Sequence, residues 1–407
     1  MTKRLIYLLA VILVICIIAV LIIAFSRGYR FNFNQRTLAP TGILSASSTP
    51  DGASIFIDGK LTAATNTSIS LSPNWYQVKI GKEGYQSWEK KIKIQGEVVS
   101  RVEALLIPEN PSLRALTVTG VRSPTLSPSG SRVAYIVPDD QQATSSGNLT
   151  TKTGVWILEL RNLPLRGTDE PKQIYKPFSS MNWTEAQLLW SPDEKQVILT
   201  FKKSEGKKEK ITNAIALSVD NNVPTEVTST LPKILAEWEQ EKKQKEEELI
   251  ASFTLPSVKL ISTSSSNLKF SPDETKILYL ATKSATLTQV ITPPLIGSNP
   301  TAEIRNITPG KFYIYDTKED KNYFTADLKA IPSAELLVWH NDSKHIVMID
   351  KDTIYIIDYD GTNKRAVYAG PFLNNLSFPW TSGGKLVILT NFNKPQMLPN
   401  LYEIDLR

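Results

Sequence analysis

The chain has 407 residues, of which 41% are hydrophobic and 21% charged, a balance typical of a globular protein that excludes an intrinsically disordered chain. The formal net charge is +6, but residues 1–36 carry five basic residues and no acidic one. The other 371 residues therefore carry 41 basic against 40 acidic side chains. This even balance predicts no basic face that could follow a phosphate backbone, and no nucleic-acid partner is expected.

The N-terminus contains an uncharged run of 21 residues, Leu5 to Phe25, without a proline. As a helix it would extend roughly 31 Å at ~1.5 Å per residue, close to the ~30 Å hydrocarbon core of a bilayer. The run predicts a transmembrane helix at residues 5–25, after a short cytoplasmic tail at 1–4 and before a linker at 26–41. A cleaved signal peptide is the alternative, but Ala24-Phe25-Ser26 is a poor cleavage site.

Charge does not decide the orientation, because basic residues lie on both sides of the run. The single cysteine, Cys16, lies inside it, so no disulfide, thiol nucleophile or cysteine-based metal site is expected elsewhere.

Residues 42–108 change to short apolar alternations that turn residues interrupt, which predicts a small β domain. The predicted strands are Gly42–Ser47, Ser54–Asp58, Tyr76–Ile80, Lys91–Ile94 and Val98–Ile107. Three segments of this region resemble the PEGA domain, a small β-sandwich of bacterial and archaeal surface proteins: Thr49-Pro50-Asp51-Gly52-Ala53, Ile57-Asp58-Gly59-Lys60 and Lys82-Glu83-Gly84-Tyr85. Asp51 stands where the family has Glu. The resemblance implies a surface module, often near cell-wall material, with no established chemistry.

Four aromatic residues of this domain could form a stacking surface for a sugar: Trp75, Tyr76, Tyr85 and Trp88. The alternative is that they fill the core, because a very small domain needs large side chains there. We favour the core.

Residues 112–407 contain a repeat in which a large apolar residue precedes a polar turn and a β-rich run seven positions on. Its copies begin at Leu126, Trp190, Phe270 and Trp339, with a looser fifth at Phe378. Each predicts a hairpin, and a third strand follows each one: Gly154–Leu160, Ala214–Val219, Phe312–Tyr315, Thr353–Tyr359 and Leu401–Leu406. After the fourth come a turn at Asp360–Asn363 and an outer strand Arg365–Tyr368. The Ser-Pro-Asp turns and the Asp-x-Asp-Gly turn resemble those of TolB-like propellers, relatives of the WD40 family.

The resemblance implies a β-propeller at 112–407 with five blades, or six if residues 254–263 or 282–310 form a degenerate one. Leu113–Thr119, before the first repeat, could complete the last blade and close the ring. The predicted fold class is therefore all-β: one N-terminal transmembrane helix, a PEGA-like β-sandwich, and a propeller with a helical insertion.

Two insertions interrupt the repeats. Residues 139–153 are polar and are predicted to be a loop. Pro232–Phe253 predicts a helix whose middle, Glu237 to Glu248, is almost entirely charged. This helix is either a projecting arm that binds a partner or a solvated helix fixed at both ends, and we favour the second.

No catalytic set, cofactor motif or metal motif is found. The two histidines are His340, in a predicted turn, and His345, at a predicted strand start. Asp358–Asn363 resembles the start of a calcium loop, but Ala369 stands where the distal acidic ligand would be, which favours a hairpin.

The sequence therefore predicts a non-enzymatic binding or scaffold protein of the bacterial cell envelope. It is expected as a single-pass protein of the cell membrane with its C-terminal region extracytoplasmic, and its partner is expected to be a protein or a cell-wall glycan. A sensory ectodomain that acts through a separate membrane partner and a propeller-type hydrolase are the alternatives.

Overall fold

The computed structural model describes residues 2–26, 29–32, 37–139, 152–160, 170–178, 182–205, 208–221, 223–381 and 383–406. The polar insertion predicted at 139–153 lies almost wholly outside these residues.

Helix α1 (Thr2–Ser26) includes the whole apolar N-terminal run. Among the residues that the structure describes, no helix is both long enough and apolar enough to cross a membrane, so the span predicted at residues 5–25 is not confirmed. A short antiparallel pair follows, β1 (Tyr29–Asn32) with β2 (Thr37–Pro40), inside the predicted linker.

The small β domain is built from two facing sheets and a short strand pair. Its strands are β3 (Gly42–Thr49), β4 (Ser54–Ile57), β5 (Lys60–Ala64), β6 (Thr67–Leu71), β7 (Asn74–Gly81), β8 (Tyr85–Gln86), β9 (Trp88–Ile94), β10 (Val99–Leu105) and β11 (Ile107–Pro108). One sheet has the order β10-β3-β6 with β10 parallel to β3, and the other has the order β5-β4-β7-β9. Alternate residues of the long strands, such as Ile55 with Ile57 and Val78 with Ile80, meet in one core, as the period-2 pattern predicts.

The sequence did not predict β5 and β6 as strands. Both lie at sheet edges and contain no fully buried residue, so their apolar alternation is weak.

After the small domain, the described residues form five four-stranded antiparallel sheets in succession, as expected of propeller blades. Their strands, from inner to outer, are as follows. Blade 1 has Arg122–Leu126, Arg132–Val137, Gly154–Glu159 and Lys172–Tyr175; blade 2 has Ala186–Trp190, Gln196–Glu205, Lys208–Ser218 and Pro224–Glu226; blade 3 has Ser265–Phe270, Lys276–Ala281, Lys311–Asp316 and Lys321–Asp327; blade 4 has Leu337–Trp339, His345–Asp350, Thr353–Asp358 and Arg365–Ala369; blade 5 has Ser377–Pro379, Lys385–Thr390, Asn400–Asp405 and Leu113–Ala115.

The last blade takes its outer strand from the beginning of the region, which confirms the predicted closure. Leu113 pairs with Ile404, and a core cluster that includes Val133 and Val387 joins blade 1 to blade 5. The repeat of blade 5 starts one residue later than predicted, since Pro379, not Phe378, pairs with Leu386.

Two helices, α2 (Leu231–Ser252) and α3 (Pro256–Ser264), connect blade 2 to blade 3. The start of α2 packs on blade 2 through Leu231 and Trp238, while Phe253 and α3 pack on blade 3. The charged middle of α2 is exposed, as expected of a helix that is fixed at both ends. Of the core clusters formed by the described residues, none joins blade 2 directly to blade 3, so the two helices occupy the space between these blades.

Neither segment considered for a sixth blade forms one. Residues 256–264 are α3, and residues 282–310 form a two-stranded pair, Ala285–Thr286 with Asn306–Ile307, and a long loop. Two short 3-10 helices, Trp183–Glu185 and Ala334–Leu336, precede the inner strands of blades 2 and 4.

Candidate functional site

The candidate site is centred on the turn at residues 358–363, which follows the third strand of blade 4. Asp358 N–H donates to Thr362 O at 3.0 Å and Gly361 N–H donates to Asp358 O at 2.9 Å. Gly361 has φ +81°, and a Cβ there would lie 2.6 Å from Phe324 O, so glycine is required. This segment is thus a hairpin turn, as the sequence favoured over a calcium loop.

Both carboxylates of this turn contact strand β9 of the small β domain. Trp88 Nε1–H donates to Asp358 Oδ2 at 3.1 Å, and the Lys90 ammonium pairs with the Asp360 carboxylate. Trp88 and Lys90 lie two apart, so they point to the same face of their strand. Arg365 adds two hydrogen bonds from its guanidinium to Ser87 O, at 2.7 and 3.0 Å. We call this set of contacts the joint.

Asp360 is the most heavily bonded group of the joint. Its side chain is fully buried and, besides Lys90, accepts from Thr301 Oγ1 at 2.6 Å, Asn299 Nδ2 at 2.8 Å and Thr362 Oγ1 at 2.7 Å. Burial alone would raise the pKa of Asp360, but the charge of Lys90 and these hydrogen bonds lower the pKa to about 2. The carboxylate is therefore ionised at neutral pH and fully compensated.

The loop at 287–305 of blade 3 extends the joint. Gly297 N–H donates to Gln95 Oε1 of the small β domain at 3.0 Å. Asn299 donates from its side chain to Tyr359 Oη at 3.0 Å, and its backbone N–H lies 2.9 Å from Glu319 Oε2. The 287–305 loop therefore connects blade 3, blade 4 and the small β domain.

Beside the joint lies a cleft of about 490 Å³ between the small β domain and blades 3 and 4. Its wall carries cations and carboxylates from both sides: Lys90, Lys93, Arg101, Lys276, Lys318 and Lys344, with Glu103, Asp316, Glu319 and Asp358. Burial raises the pKa of Glu319, and the Asp316 charge adds to this effect. Apolar side chains such as Ile92 and Val99 complete the lining. Such a wall suits a ligand that has several hydrogen-bonding groups together with apolar surface.

Lys276 connects the floor of the cleft to the joint. Its ammonium lies 4.9 Å from the centre of the Tyr359 ring and 3.8 Å from Asp316 Oδ2. Burial and the carboxylates of Glu319 and Asp316 raise the pKa of Tyr359 well above its usual value, so its phenol stays neutral.

Both histidines are buried at blade 4. His345 lines the cleft, with Nδ1 at 2.6 Å from Asp342 Oδ2 and Nε2 at 3.4 Å from Asp358 Oδ1. Burial would lower the pKa of His345, but hydrogen bonds and charge from these two carboxylates raise it to about 10. His340 lies beside it, 3% exposed.

Three of the four aromatic residues considered for sugar stacking belong to the core. Trp88 is buried, and Tyr76 and Tyr85 pack against the core cluster. Trp75 is 43% exposed, with the Lys91 and Lys93 ammonium groups 5.5 and 5.9 Å from its ring centre. The four do not form one surface.

Sequence reasoning did not foresee the joint. The Asp-x-Asp-Gly turn was visible, but only the folded chain brings residue 360 beside residue 90. The available signal was Lys90 itself, a charged residue on the inward face of a strand between Trp88 and Ile92.

With this geometry in place, comparison with known proteins identifies the small domain. Residues 41–109 match the PEGA domain family. This small domain is a PEGA domain. No curated protein matches the chain.

The chain is also similar to solved propeller-type structures. Putative TolB from Agrobacterium tumefaciens is 12% identical over 81% of this chain and 89% of that one, with a TM-score of 0.19. TolB from Acinetobacter baumannii is 11% identical over 81% and 59%, with a TM-score of 0.22. Tricorn protease is 11% identical over 84% and 37%, with a TM-score of 0.24. Because TM-scores this low carry no weight, the five sheets themselves are the evidence for blades.

Proposed function

We propose that the chain is a binding or scaffold protein of the bacterial cell envelope that presents a PEGA domain and a five-bladed propeller as one rigid body. The observation that carries the proposal is the joint. A buried ion pair, a buried indole hydrogen bond and an arginine that donates twice to one backbone carbonyl fix the two domains against each other. Flexibly linked domains do not need such contacts.

The cleft beside the joint is the proposed binding site. Both domains contribute to its wall, so its shape exists only when they are held together. Arg101 of the PEGA domain and Lys318 of blade 3 are exposed cations on opposite sides of the cleft. A protein segment or an envelope glycan with acidic and hydroxyl groups fits this wall.

Membrane attachment is part of the proposal and is supported by the uncharged run from Leu5 to Phe25. A helix of that composition would hold the PEGA domain close to the bilayer, with the propeller on the extracytoplasmic side. Protease treatment of intact spheroplasts tests this arrangement: the C-terminal region should be cut from outside, and protection until lysis would contradict it.

Binding is tested with the full-length chain in detergent, used for capture from envelope extracts and on a glycan array. Arg101→Glu with Lys318→Glu should reduce binding at least tenfold, because both charges in the cleft wall are reversed. Lys329→Glu makes the same type of change at an exposed position outside the cleft and should leave binding unchanged. Absence of any binding, or equal loss in both variants, would count against the cleft.

A further inference from the structure

The five blade hairpins have one backbone design, and blades 4 and 5 differ from blades 1 to 3 in the side chain at its first position. In each hairpin the first residue donates its N–H to the carbonyl of the sixth, at 2.9–3.0 Å. The first residue is Ser127, Ser191, Ser271, His340 and Trp380 in blades 1 to 5, and the sixth is Arg132, Gln196, Lys276, His345 and Lys385. The chain's two histidines thus fill the two ends of one hairpin.

The serines of blades 2 and 3 stabilise their turns directly. Ser271 Oγ donates to Asp273 Oδ1 at 2.6 Å and accepts from Lys276 N at 2.9 Å. In blade 4, Asp342 takes over this role, because its Oδ1 accepts from His345 N at 3.1 Å. The turn is therefore closed without the imidazole of His340, so closing the turn does not explain why a histidine is present at this position.

The remaining oxygen of Asp342 is the point on which both rings converge. Asp342 Oδ2 lies 2.6 Å from His345 Nδ1 and 3.1 Å from His340 Nδ1. The three ligand-capable atoms lie within 4.8 Å of one another. Two imidazole nitrogens and one carboxylate oxygen are a set that transition metals favour.

His340 supplies the second, independent observation. Its side chain is 4% exposed, yet neither ring nitrogen makes a well-aligned hydrogen bond with any described residue. Buried polar atoms without a partner are rare in folded proteins. A proton shared between His345 and Asp342 satisfies those two groups but leaves His340 Nδ1 with only its poorly aligned 3.1 Å approach to Asp342 Oδ2. A cation among the three would give His340 Nδ1 a direct partner.

We propose that His340 Nδ1, His345 Nδ1 and Asp342 Oδ2 bind one divalent transition-metal ion, with Zn²⁺ as the best fit. The ion takes the place of the proton between His345 Nδ1 and Asp342 Oδ2, which is released to solvent on binding. Ligand atoms around a tetrahedral Zn²⁺ lie about 3.3 Å apart at metal distances of about 2.0–2.1 Å. The two imidazole–carboxylate distances of 2.6 and 3.1 Å therefore need to lengthen by less than ~1 Å. Asp358 Oδ1, 3.4 Å from His345 Nε2, is placed to orient that imidazole from behind. Asp342 is one-third exposed, which gives the ion a route to the site.

The test uses the purified full-length chain in detergent, stripped with a chelator and titrated with Zn²⁺ by calorimetry. We expect one Zn²⁺ per chain. Co²⁺ should give the visible absorption of a tetrahedral site and should be displaced by Zn²⁺. Because the chain has only two histidines, nitrogen-15 spectra of their rings report the site directly, and Zn²⁺ should shift the Nδ1 signals of both.

His340→Ser is the decisive variant, because it restores the residue that blades 1 to 3 carry at this position. It should weaken Zn²⁺ binding at least tenfold and abolish the Co²⁺ absorption, while the metal-free Tm changes little. Asp273→Asn alters the equivalent carboxylate of blade 3, which has no histidine beside it, and should bind Zn²⁺ normally. Unshifted Nδ1 signals, or full affinity in a folded His340→Ser protein, would overturn the proposal. If that variant does not fold, the nitrogen-15 spectra of the unaltered chain test the proposal: Zn²⁺ should shift the Nδ1 signals of both histidines, and unshifted signals would overturn it.

Discussion

In blade 3, the hairpin that begins at Ser271 uses its serine and aspartate to close itself, whereas in blade 4 the equivalent hairpin carries histidine at both ends. The turns at the ends of the third strands differ in the same way. Asp316 of blade 3 accepts two backbone N–H groups of its own turn, at 2.9 and 3.0 Å. Asp358 of blade 4 accepts from the side chains of Thr362 and Asn363 in its own turn, at 3.2 and 3.0 Å, and also from the Trp88 indole of another domain, at 3.1 Å. The turns of both blades are thus closed by their own side chains, and in blade 4 a few of these side chains also make contacts outside the turn.

The largest effect is expected from Trp88→Ala. Trp88 is 5% exposed and belongs both to the PEGA core and to the joint. Its loss should lower the free energy of unfolding by about 3–5 kcal/mol. Denaturant unfolding followed by circular dichroism measures this. Trp75→Ala, at a 43% exposed position, should cost about 0.5 kcal/mol or less, and equal costs for the two variants would show that Trp88 is not buried.

Lys90→Met comes next, because it leaves the fully buried Asp360 without its counter-ion. Loss of one partner of a buried pair costs about 3 kcal/mol or more. The matched control is Lys364→Met in blade 4, whose partly exposed pair with Asp350 at 3.2 Å should contribute at most about 1 kcal/mol. If both variants unfold at the same denaturant concentration, the joint does not stabilise the protein.

Acid should weaken the joint in a narrow pH range. The pKa of Asp360 is lowered to about 2 in the folded chain, so its contribution is complete above its ordinary pKa near 4 and is lost as the pH falls towards 2. The loss should be on the order of 2 kcal/mol. Asp360→Asn should remove this part of the pH dependence, and an unchanged acid profile in that variant would contradict the assignment.

Ser271→Ala should have a smaller effect, confined to blade 3. The serine donates to Asp273 and accepts from Lys276, so its removal should cost about 1 kcal/mol. Thermal unfolding measures it, with metal-free His340→Ser as the comparison, which should cost less because Asp342 already holds that turn. The reverse order would mean that the two hairpins are stabilised alike.

The smallest effect belongs to the exposed middle of α2. Lys245→Gln removes a pair with Glu241 at 2.7 Å, both half-exposed, and should cost no more than about 0.5 kcal/mol. Trp238→Ala, at the end that packs on blade 2, should cost more. This pair of variants separates the solvated part of the helix from its fixed ends.

Sequence reasoning predicted local features well. Hairpins such as that of Trp339 and the closing strand at Leu113 were predicted because turn chemistry and period-2 alternation act over a few residues. The edge strands β5 and β6 were missed because none of their residues is fully buried, so their sequences show only a weak apolar alternation.

The joint could not be predicted in this way. Lys90 and Asp360 are 270 positions apart in the sequence. No local sequence pattern predicts which faces of two domains will be in contact. His340 and His345 both contact Asp342, which is a local feature of the chain. It could not be recognised from the sequence because it depends on the backbone conformation of the turn between the two histidines.

The rigid joint is the central claim, and electron-electron double resonance tests it most directly. Spin labels at Glu83 of the PEGA domain and Lys351 of blade 4, both exposed, would be introduced into the full-length chain with Cys16→Ser. The joint predicts one narrow distance distribution, which Lys90→Met should broaden. A broad distribution in the protein with Lys90 intact would contradict the claim that the two domains form a single body.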